Sequence, residues 1–196
     1  LFTNIQNHPG ARVLIGLLGD RKRCASLLNT TSEQLPFLMN KAYSKRLDPV
    51  VVAKGICQEI VHHCEDEGFD IRRLLPAIKA TKEDAGPYIT MGLCYGSDPE
   101  TKESDVTIHR LCLQSRDEMT MFFTPGIRHL DVFRKKAEAK NKALPISISI
   151  GVDPAIEIAA CFEPPTTPLG FNELSIAGGI RNKPVELCKC VSIDEY

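Results

Sequence analysis

The sequence predicts an α+β protein, with an α/β N-terminal part and a β-rich second half. Short apolar segments alternate with helical patterns up to Ile78, which is typical of α/β structure. A charged segment containing glycine and proline, residues 80–87, follows and predicts a boundary between residues 1–80 and 81–196. Apolar runs with strand character come next, at residues 88–95, 106–113 and 119–123.

The first 80 residues contain several candidate elements. The patterns predict a strand at residues 13–17, helices at 21–28 and 32–43, and a short buried strand at 49–52. Ile56, Ile60 and Cys64 recur at helical spacing and predict an amphipathic helix. His62 and His63 on that helix would suggest a metal site, but adjacent helical residues point in different directions. A solvent-exposed helix is therefore the favoured interpretation.

The second half alternates strands with turns and two helices. The predicted elements are a turn at 96–99, a charged helix at 128–141 covering one sheet edge, and strands at 146–150 and 185–190 that extend the same sheet. Asp153 can cap a helix over residues 155–161, with Pro154 at its first position.

A stiff loop follows that helix and leads to Glu173. The loop contains Pro164, Pro165 and Pro168, which cannot continue the helix and which fix the backbone. Gly178 and Gly179 come shortly after Glu173, and glycine allows the backbone to approach a ligand closely. The segment fits a cofactor site, but from these residues alone a tight structural turn is the favoured interpretation.

Composition excludes some classes of function. A net charge of −1 argues against nucleic acid or an anionic membrane as the main partner. No apolar run approaches the ~20 residues of a membrane-spanning helix. The eight cysteines show no CxxC spacing, and no signal-peptide pattern precedes them. We therefore expect a cytoplasmic protein whose thiols are reduced, without a disulfide.

Several motifs together resemble the UbiD family of prenylated-FMN-dependent decarboxylases. They are GPYIT at residues 86–90, the segment 105–110, the pair Arg128-His129, and GVDPAIEIAA followed by a proline loop, a glutamate and AGGIRNKPVELCKC, and they occur in the family's order. The sequence CFEPPTTPLGFNELSIAGGIR is similar to members that act on hydroxylated benzoates, such as gallate, vanillate and 4-hydroxybenzoate decarboxylases. The resemblance covers essentially the whole chain.

The resemblance implies a flavin-reductase-like split β-barrel over residues 81–196, incomplete at the C-terminus. Family members continue further, and their paired glutamates in an EGPFGE-like motif are absent from this sequence. We therefore expect a fragment, a processed piece or one chain of a split enzyme. The resemblance also implies a homo-oligomer, with a second chain as a candidate carrier of the C-terminal part.

The resemblance further implies a metal site built from Asp105, His129 and Glu173. In the family an Asn, a His and a Glu hold the metal that anchors the cofactor phosphate, so Asp105 replaces the usual Asn. Two carboxylates and one imidazole suit Mn²⁺ or Mg²⁺, and K⁺ is an additional candidate ion. The extra charge of Asp105 should strengthen cation binding but repel the phosphate.

Arg110 is the candidate catalytic residue. It lies among apolar strand positions, and an inward arginine there would need an anionic partner. The alternative is a rim position with the guanidinium in water. The family resemblance implies that Arg110 contacts the prenylated flavin and holds the substrate carboxylate. Asp105 and Arg110 are separated by an odd number, so a regular strand would point them to opposite faces unless a bulge intervenes or Asp105 precedes the strand.

Further cofactor contacts follow from the resemblance. Thr107 and Ile108 match positions that touch the cofactor, and Arg128 matches a polar residue that contacts its phosphate. The implied reaction is reversible, non-oxidative decarboxylation of a hydroxyaromatic acid, which releases CO₂. A non-catalytic flavin- or metal-binding module, or an assembly subunit, is the alternative.

Overall fold

The computed structural model describes residues 1–123 and 129–196, and these form a mixed α+β structure, as predicted. The helices in these ranges are α1 (Arg21–Leu27), α2 (Leu35–Ser44), α3 (Ile71–Leu74), α4 (His129–Glu138), α5 (Pro154–Ala159) and α6 (Leu174–Arg181). The strands are β1 (Val50–Val52), β2 (Tyr88–Ser97), β3 (Ser104–Leu113), β4 (Met119–Met121), β5 (Ser147–Ser149) and β6 (Glu186–Cys188). No helix in the described part is long and apolar enough to cross a membrane.

The main sheet is antiparallel, with strand order β4-β3-β2-β5. Its long central pair, β2 and β3, has a register shift between Ile89 and Gly92, so the extra residue lies in β2. A Cβ on Gly92 would lie 2.6 Å from Leu111 Cδ1 and 3.1 Å from the His109 carbonyl oxygen, so a larger residue there would require the Leu111 side chain to move. Among the described residues this sheet is open and does not close into a barrel. The likeness to a flavin reductase remains a prediction.

Each face of the main sheet is covered by a different part of the chain. Leu111 packs on one face in a core with Leu130 and Phe133 of α4. Val106 packs on the other face in a core with Leu174 of α6. Successive side chains of β3 point to opposite faces of the sheet, and this alternation produces the arrangement. As a result, α4 and the start of α6 meet at the same end of β3.

The glycine pair of α6 serves helix packing, so the structure shows neither the ligand approach nor the tight turn that the sequence suggested there. A Cβ on Gly178 would lie 2.4 Å from the Leu47 carbonyl oxygen, and a Cβ on Gly179 would lie 2.5 Å from the Ala42 carbonyl oxygen. These contacts let α6 approach α2 and the chain that follows it. The close approach leaves no room for a ligand at either glycine.

The N-terminal part contains less regular structure than the sequence predicts. Of the expected strand at residues 13–17, only an isolated bridge between Val13 and Phe2 is present. The segment predicted as an amphipathic helix contains a single 3-10 turn, Ile56–Gln58. Ile56 and Ile60 are 90% and 76% exposed. An apolar stripe forms a stable helix only when it packs against another surface, and within the described ranges this stripe has none.

β1 and β6 pair in a separate, parallel two-stranded sheet, with Val50 opposite Glu186. The expectation that residues 185–190 extend the main sheet is therefore wrong. β1 was predicted as a buried strand, but Val51 is 62% exposed. Because β1 precedes residue 80 and β6 follows it, this sheet joins the two predicted parts of the chain. The division at residue 80 remains a prediction.

Candidate active site

Three separate elements bring Asp105, His129 and Glu173 together. Asp105 lies in β3, His129 is the first residue of α4, and Glu173 immediately precedes α6. One ligand atom from each residue lies within 4.8 Å of the other two. Asp105 and Glu173 are buried, while the His129 side chain keeps 10% of its exposure and places Nδ1 3.4 Å from Asp105 Oδ1. We call this group the carboxylate–histidine cluster.

Asn172 fixes the positions of the two carboxylate-bearing elements. Its side-chain oxygen accepts a hydrogen bond from the Leu174 N–H at 3.0 Å and so caps α6. Its side-chain nitrogen donates to Ser104 Oγ at 2.8 Å. Ser104 is adjacent to Asp105, and Asn172 is adjacent to Glu173. Since Asn172 caps the helix, the Glu173 side chain makes no capping bond and can take part in the cluster.

The proline loop is held against α2 by aromatic contacts. The rings of Tyr43 and Phe171 stack with centroids 5.7 Å apart, and the Tyr43 hydroxyl donates to the Thr166 carbonyl at 2.8 Å. The Arg46 guanidinium lies over both rings. These contacts anchor the loop that leads to Glu173, in addition to the stiffness that its prolines provide.

Burial and neighbouring charges shift the pKa values of two members of the cluster. Burial and, to a lesser extent, the nearby charge of Asp105 together raise the pKa of Glu173 to about 8. A hydrogen bond from the imidazolium to Asp105 raises the pKa of His129, although burial opposes this. The site therefore holds two carboxyl groups that repel one another. A bound cation would relieve that repulsion.

The cluster fits a hard divalent cation. Asp105 Oδ2, Glu173 Oε2 and Thr107 Oγ1 are buried and have no hydrogen-bond partner among the described residues. Buried polar atoms normally have a partner, so these oxygens are suited to receive one from outside the chain. Two carboxylates with one imidazole form a donor set suited to Mn²⁺ or Mg²⁺.

Arg110 lies away from the cluster. It is exposed, and its guanidinium carbon lies 5.7 Å from the centroid of the Tyr88 ring. The prediction of an inward arginine is therefore wrong, and the rim position is the one observed. Asp105 lies inside β3, which pairs regularly through His109, and the bulge is in β2. Arg110 consequently points to the opposite face from Asp105.

The remaining predicted residues divide between the two faces of β3. Thr107 is buried and lines the same cavity as the cluster. Ile108 is half-buried on the opposite face, packed against the core that contains Val106. Arg128 lies outside the described residues.

Sequence reasoning missed Asn172, Tyr43 and Arg46. Asn172 had a detectable signal, since an asparagine shortly before the apolar positions of α6 is a typical helix cap. Tyr43 and Arg46 had none, because they act on a loop more than a hundred residues away along the chain.

Comparison with known proteins shows a family match over most of the chain. Residues 50–196 match the profile of the UbiD family, described as the 3-octaprenyl-4-hydroxybenzoate carboxy-lyase Rift-related domain. The gallate decarboxylase of Lactiplantibacillus plantarum is 44% identical over 197 residues, which is 100% of this chain and 40% of that protein.

Two solved structures are similar over nearly the whole chain. The 3,4-dihydroxybenzoic acid decarboxylase AroY from Klebsiella pneumoniae has a TM-score of 0.91 and 50% identity, covering 99% of this chain and 40% of that one. HmfF from Pelotomaculum thermopropionicum, solved in complex with FMN, has a TM-score of 0.86 and 31% identity, covering 97% of this chain and 41% of that one. The chain thus spans about 40% of the length of these relatives. On the family match and these similarities, the chain belongs to the UbiD family of carboxy-lyases.

Proposed function

We propose that this chain supplies the cofactor-binding part of a prenylated-FMN-dependent decarboxylase. The enzyme reversibly removes CO₂ from a hydroxylated aromatic acid without oxidation. The carboxylate–histidine cluster carries the proposal, because one ligand atom of each residue lies within 4.8 Å of the others. In addition, Asp105 Oδ2 and Glu173 Oε2 are buried without a hydrogen-bond partner among the described residues. Similarity to decarboxylases named for gallate and 3,4-dihydroxybenzoic acid supports the substrate class.

Asp105, His129 and Glu173 would hold Mn²⁺ or Mg²⁺, and K⁺ is an additional candidate ion. The ion would offset the burial and the repulsion from Asp105 that together raise the pKa of Glu173, and it would attract the phosphate of the flavin. Thr107, Ile108 and Arg128 are the proposed flavin contacts. When bound, prenylated FMN supplies the electron sink that accepts the electron pair left by departing CO₂.

Arg110 would hold the substrate carboxylate. Its planar guanidinium can donate two parallel hydrogen bonds to a carboxylate, and the Tyr88 ring beside it limits the orientations of the side chain. A proton donor for the ring carbon is also needed, and we assign it to residues outside this chain. They would lie either later in the same polypeptide, which we expect to form a homo-oligomer, or on a second, different chain.

A non-catalytic flavin- or metal-binding subunit is the second candidate. The position of Arg110, on the opposite face of β3 from the cluster, favours it. In that case the chain would retain cofactor and metal without turning over a carboxylic acid.

The test uses the complete protein, expressed in the cytoplasm where we expect it to reside. The purified protein is loaded with Mn²⁺ and prenylated FMN and assayed for CO₂ release from gallate, 3,4-dihydroxybenzoate, 4-hydroxybenzoate and vanillate. Release from at least one acid is expected. Flavin and metal retention without release from any acid would support the non-catalytic subunit, and retention of neither would contradict both proposals.

A further inference from the structure

Two thiols come together where β6 meets the turn after β1. Cys57 lies in the 3-10 turn Ile56–Gln58, and Cys188 is the last residue of β6. Val52 pairs with Cys188 at the end of the parallel sheet. Gln58 Nε2 donates a hydrogen bond to the Lys189 carbonyl at 2.7 Å. The short segment between β1 and the turn is therefore fixed to the β6 region at both ends.

The glycine between these fixed points lets the sulfur atoms approach one another. A Cβ on Gly55 would lie 2.4 Å from Cys188 Sγ and 3.4 Å from Cys57 Sγ. Both sulfurs thus lie close to the position that the Cβ of any larger residue at position 55 would occupy. Burial, together with the neighbouring Cys57 thiol, raises the pKa of Cys188.

The two thiols differ in their access to solvent. Cys57 is exposed, whereas Cys188 is half-buried. A dissolved oxidant can therefore reach Cys57 first, and Cys188 lies beside it to complete a second step. Thiols of this kind, one accessible and one adjacent, are typical of pairs that form a disulfide on oxidation.

We propose that Cys57 and Cys188 are an oxidisable thiol pair that forms an intramolecular disulfide with a small disulfide oxidant such as oxidised glutathione. The Cys57 thiolate attacks one glutathione sulfur, the glutathione disulfide breaks, and one glutathione thiolate leaves. The Cys188 thiolate then attacks Cys57 Sγ, the protein disulfide forms and the second glutathione leaves. Two protein thiols lose two electrons, one glutathione disulfide gains them, and the two protons pass to the glutathione thiolates.

The bond would close a loop from residue 57 to residue 188. That loop contains β3, α4 and the start of α6, which carry the carboxylate–histidine cluster. In a reducing cytoplasm the pair stays reduced, and it responds when the ratio of oxidised to reduced glutathione rises.

The tryptic peptides of this chain allow a direct test. Residues 55–72 carry Cys57 and Cys64, and residues 182–189 carry Cys188 alone. The complete protein is reduced, treated with millimolar oxidised glutathione, blocked with N-ethylmaleimide and digested without reductant. A disulfide-linked peptide joining residues 55–72 to 182–189 is expected by mass spectrometry, together with a loss of two free thiols.

Matched serine variants assign the bond. The linked peptide should persist in Cys64→Ser, which changes the other cysteine of residues 55–72. It should also persist in Cys190→Ser, which changes the cysteine two residues after Cys188. It should disappear in Cys57→Ser. Because Cys57 is exposed, that variant should fold as the parent does by circular dichroism. Persistence of the linked peptide in Cys57→Ser, or its absence from the oxidised parent protein, would overturn the proposal.

Discussion

Asn172 and Ser104 are joined by a 2.8 Å hydrogen bond between their side chains. This bond connects the residue before Glu173 to the residue before Asp105, so it sets how far apart the two carboxylates of the cluster are held. A cation site depends on such outer hydrogen bonds, because they hold the ligands in position before the ion arrives.

Loss of this bond should weaken metal binding. We expect Asn172→Ala to lower Mn²⁺ affinity about tenfold, since a hydrogen bond of this kind contributes roughly 0.5–1.5 kcal/mol. Ser104→Ala, which leaves the cap of α6 intact, should produce a smaller loss in the same direction. Isothermal titration with Mn²⁺ measures both, and Asn141→Ala on the surface is the control. Unchanged Mn²⁺ affinity in Asn172→Ala would contradict the positioning role.

Glu173→Gln should release the metal. The substitution preserves the shape of the side chain but removes one charged ligand, which typically costs a few kcal/mol, or about two orders of magnitude in affinity. Retention of flavin by the complete enzyme should fall with the metal. Metal content by atomic emission and flavin absorbance after gel filtration report the two losses separately. Normal metal content in this variant would contradict the assignment of Glu173 as a metal ligand.

The stability of the metal-free protein should fall as the pH rises from about 4.5 to about 8. The folded state raises the pKa of Glu173 from 4.5 to about 8, so in this range it binds a proton that the unfolded chain has released. The raised pKa of His129 acts in the same direction, because its stabilisation is lost as the imidazolium deprotonates. Urea unfolding across this range, in EDTA, measures the slope. Glu173→Gln should make the slope shallower, and a slope unchanged by this substitution would contradict the assignment.

Arg110→Ala should abolish decarboxylation while leaving stability unchanged. The side chain is exposed, so its removal disturbs no core, but the substrate carboxylate loses its binding partner. Arg110→Lys should not restore activity, because an ammonium lacks the planar fork of a guanidinium. Arg12→Ala, another exposed arginine, is the control for both CO₂ release and melting temperature. Decarboxylation at the parent rate in Arg110→Ala would show that the carboxylate binds elsewhere.

Gly178→Ala should destabilise the fold by about 1–3 kcal/mol, the usual cost of adding a methyl group to a filled space. The new Cβ would lie 2.4 Å from the Leu47 carbonyl oxygen, which outweighs the ~1 kcal/mol that alanine contributes within a helix. Gly19→Ala is the control, since its Cβ would meet its nearest neighbour only at 3.4 Å. Chemical denaturation measures both variants, and equal stability of Gly178→Ala and the parent would contradict the packing role.

The sequence predicted most accurately those elements whose signals are local. The apolar runs located β2 and β3, and the Asp153-Pro154 pair located the start of α5, where the aspartate accepts a hydrogen bond from the Ala155 N–H. The apolar stripe that begins at Ile56 led to the wrong prediction of a helix, because periodicity does not tell whether another surface is available to cover the stripe.

The site was less accessible to sequence reasoning than the strands. Asp105, His129 and Glu173 are far apart along the chain, and only the family resemblance grouped them before the structure placed them together. The face on which Arg110 lies depends on whether a bulge falls in β2 or in β3. Sequence patterns do not distinguish these two cases, because a bulge is defined by how two strands pair, and neither strand records the register of its partner.

The parallel pairing of β1 with β6 has a consequence for synthesis of the chain. Val50 leaves the ribosome 136 residues before its partner Glu186, which at ~5–20 residues per second is a wait on the order of ten seconds. During that time the peptide groups of β1 that later pair with β6 are open to other strands. Co-translational folding of this chain should therefore be most sensitive to chaperone depletion in the interval before residue 186 emerges.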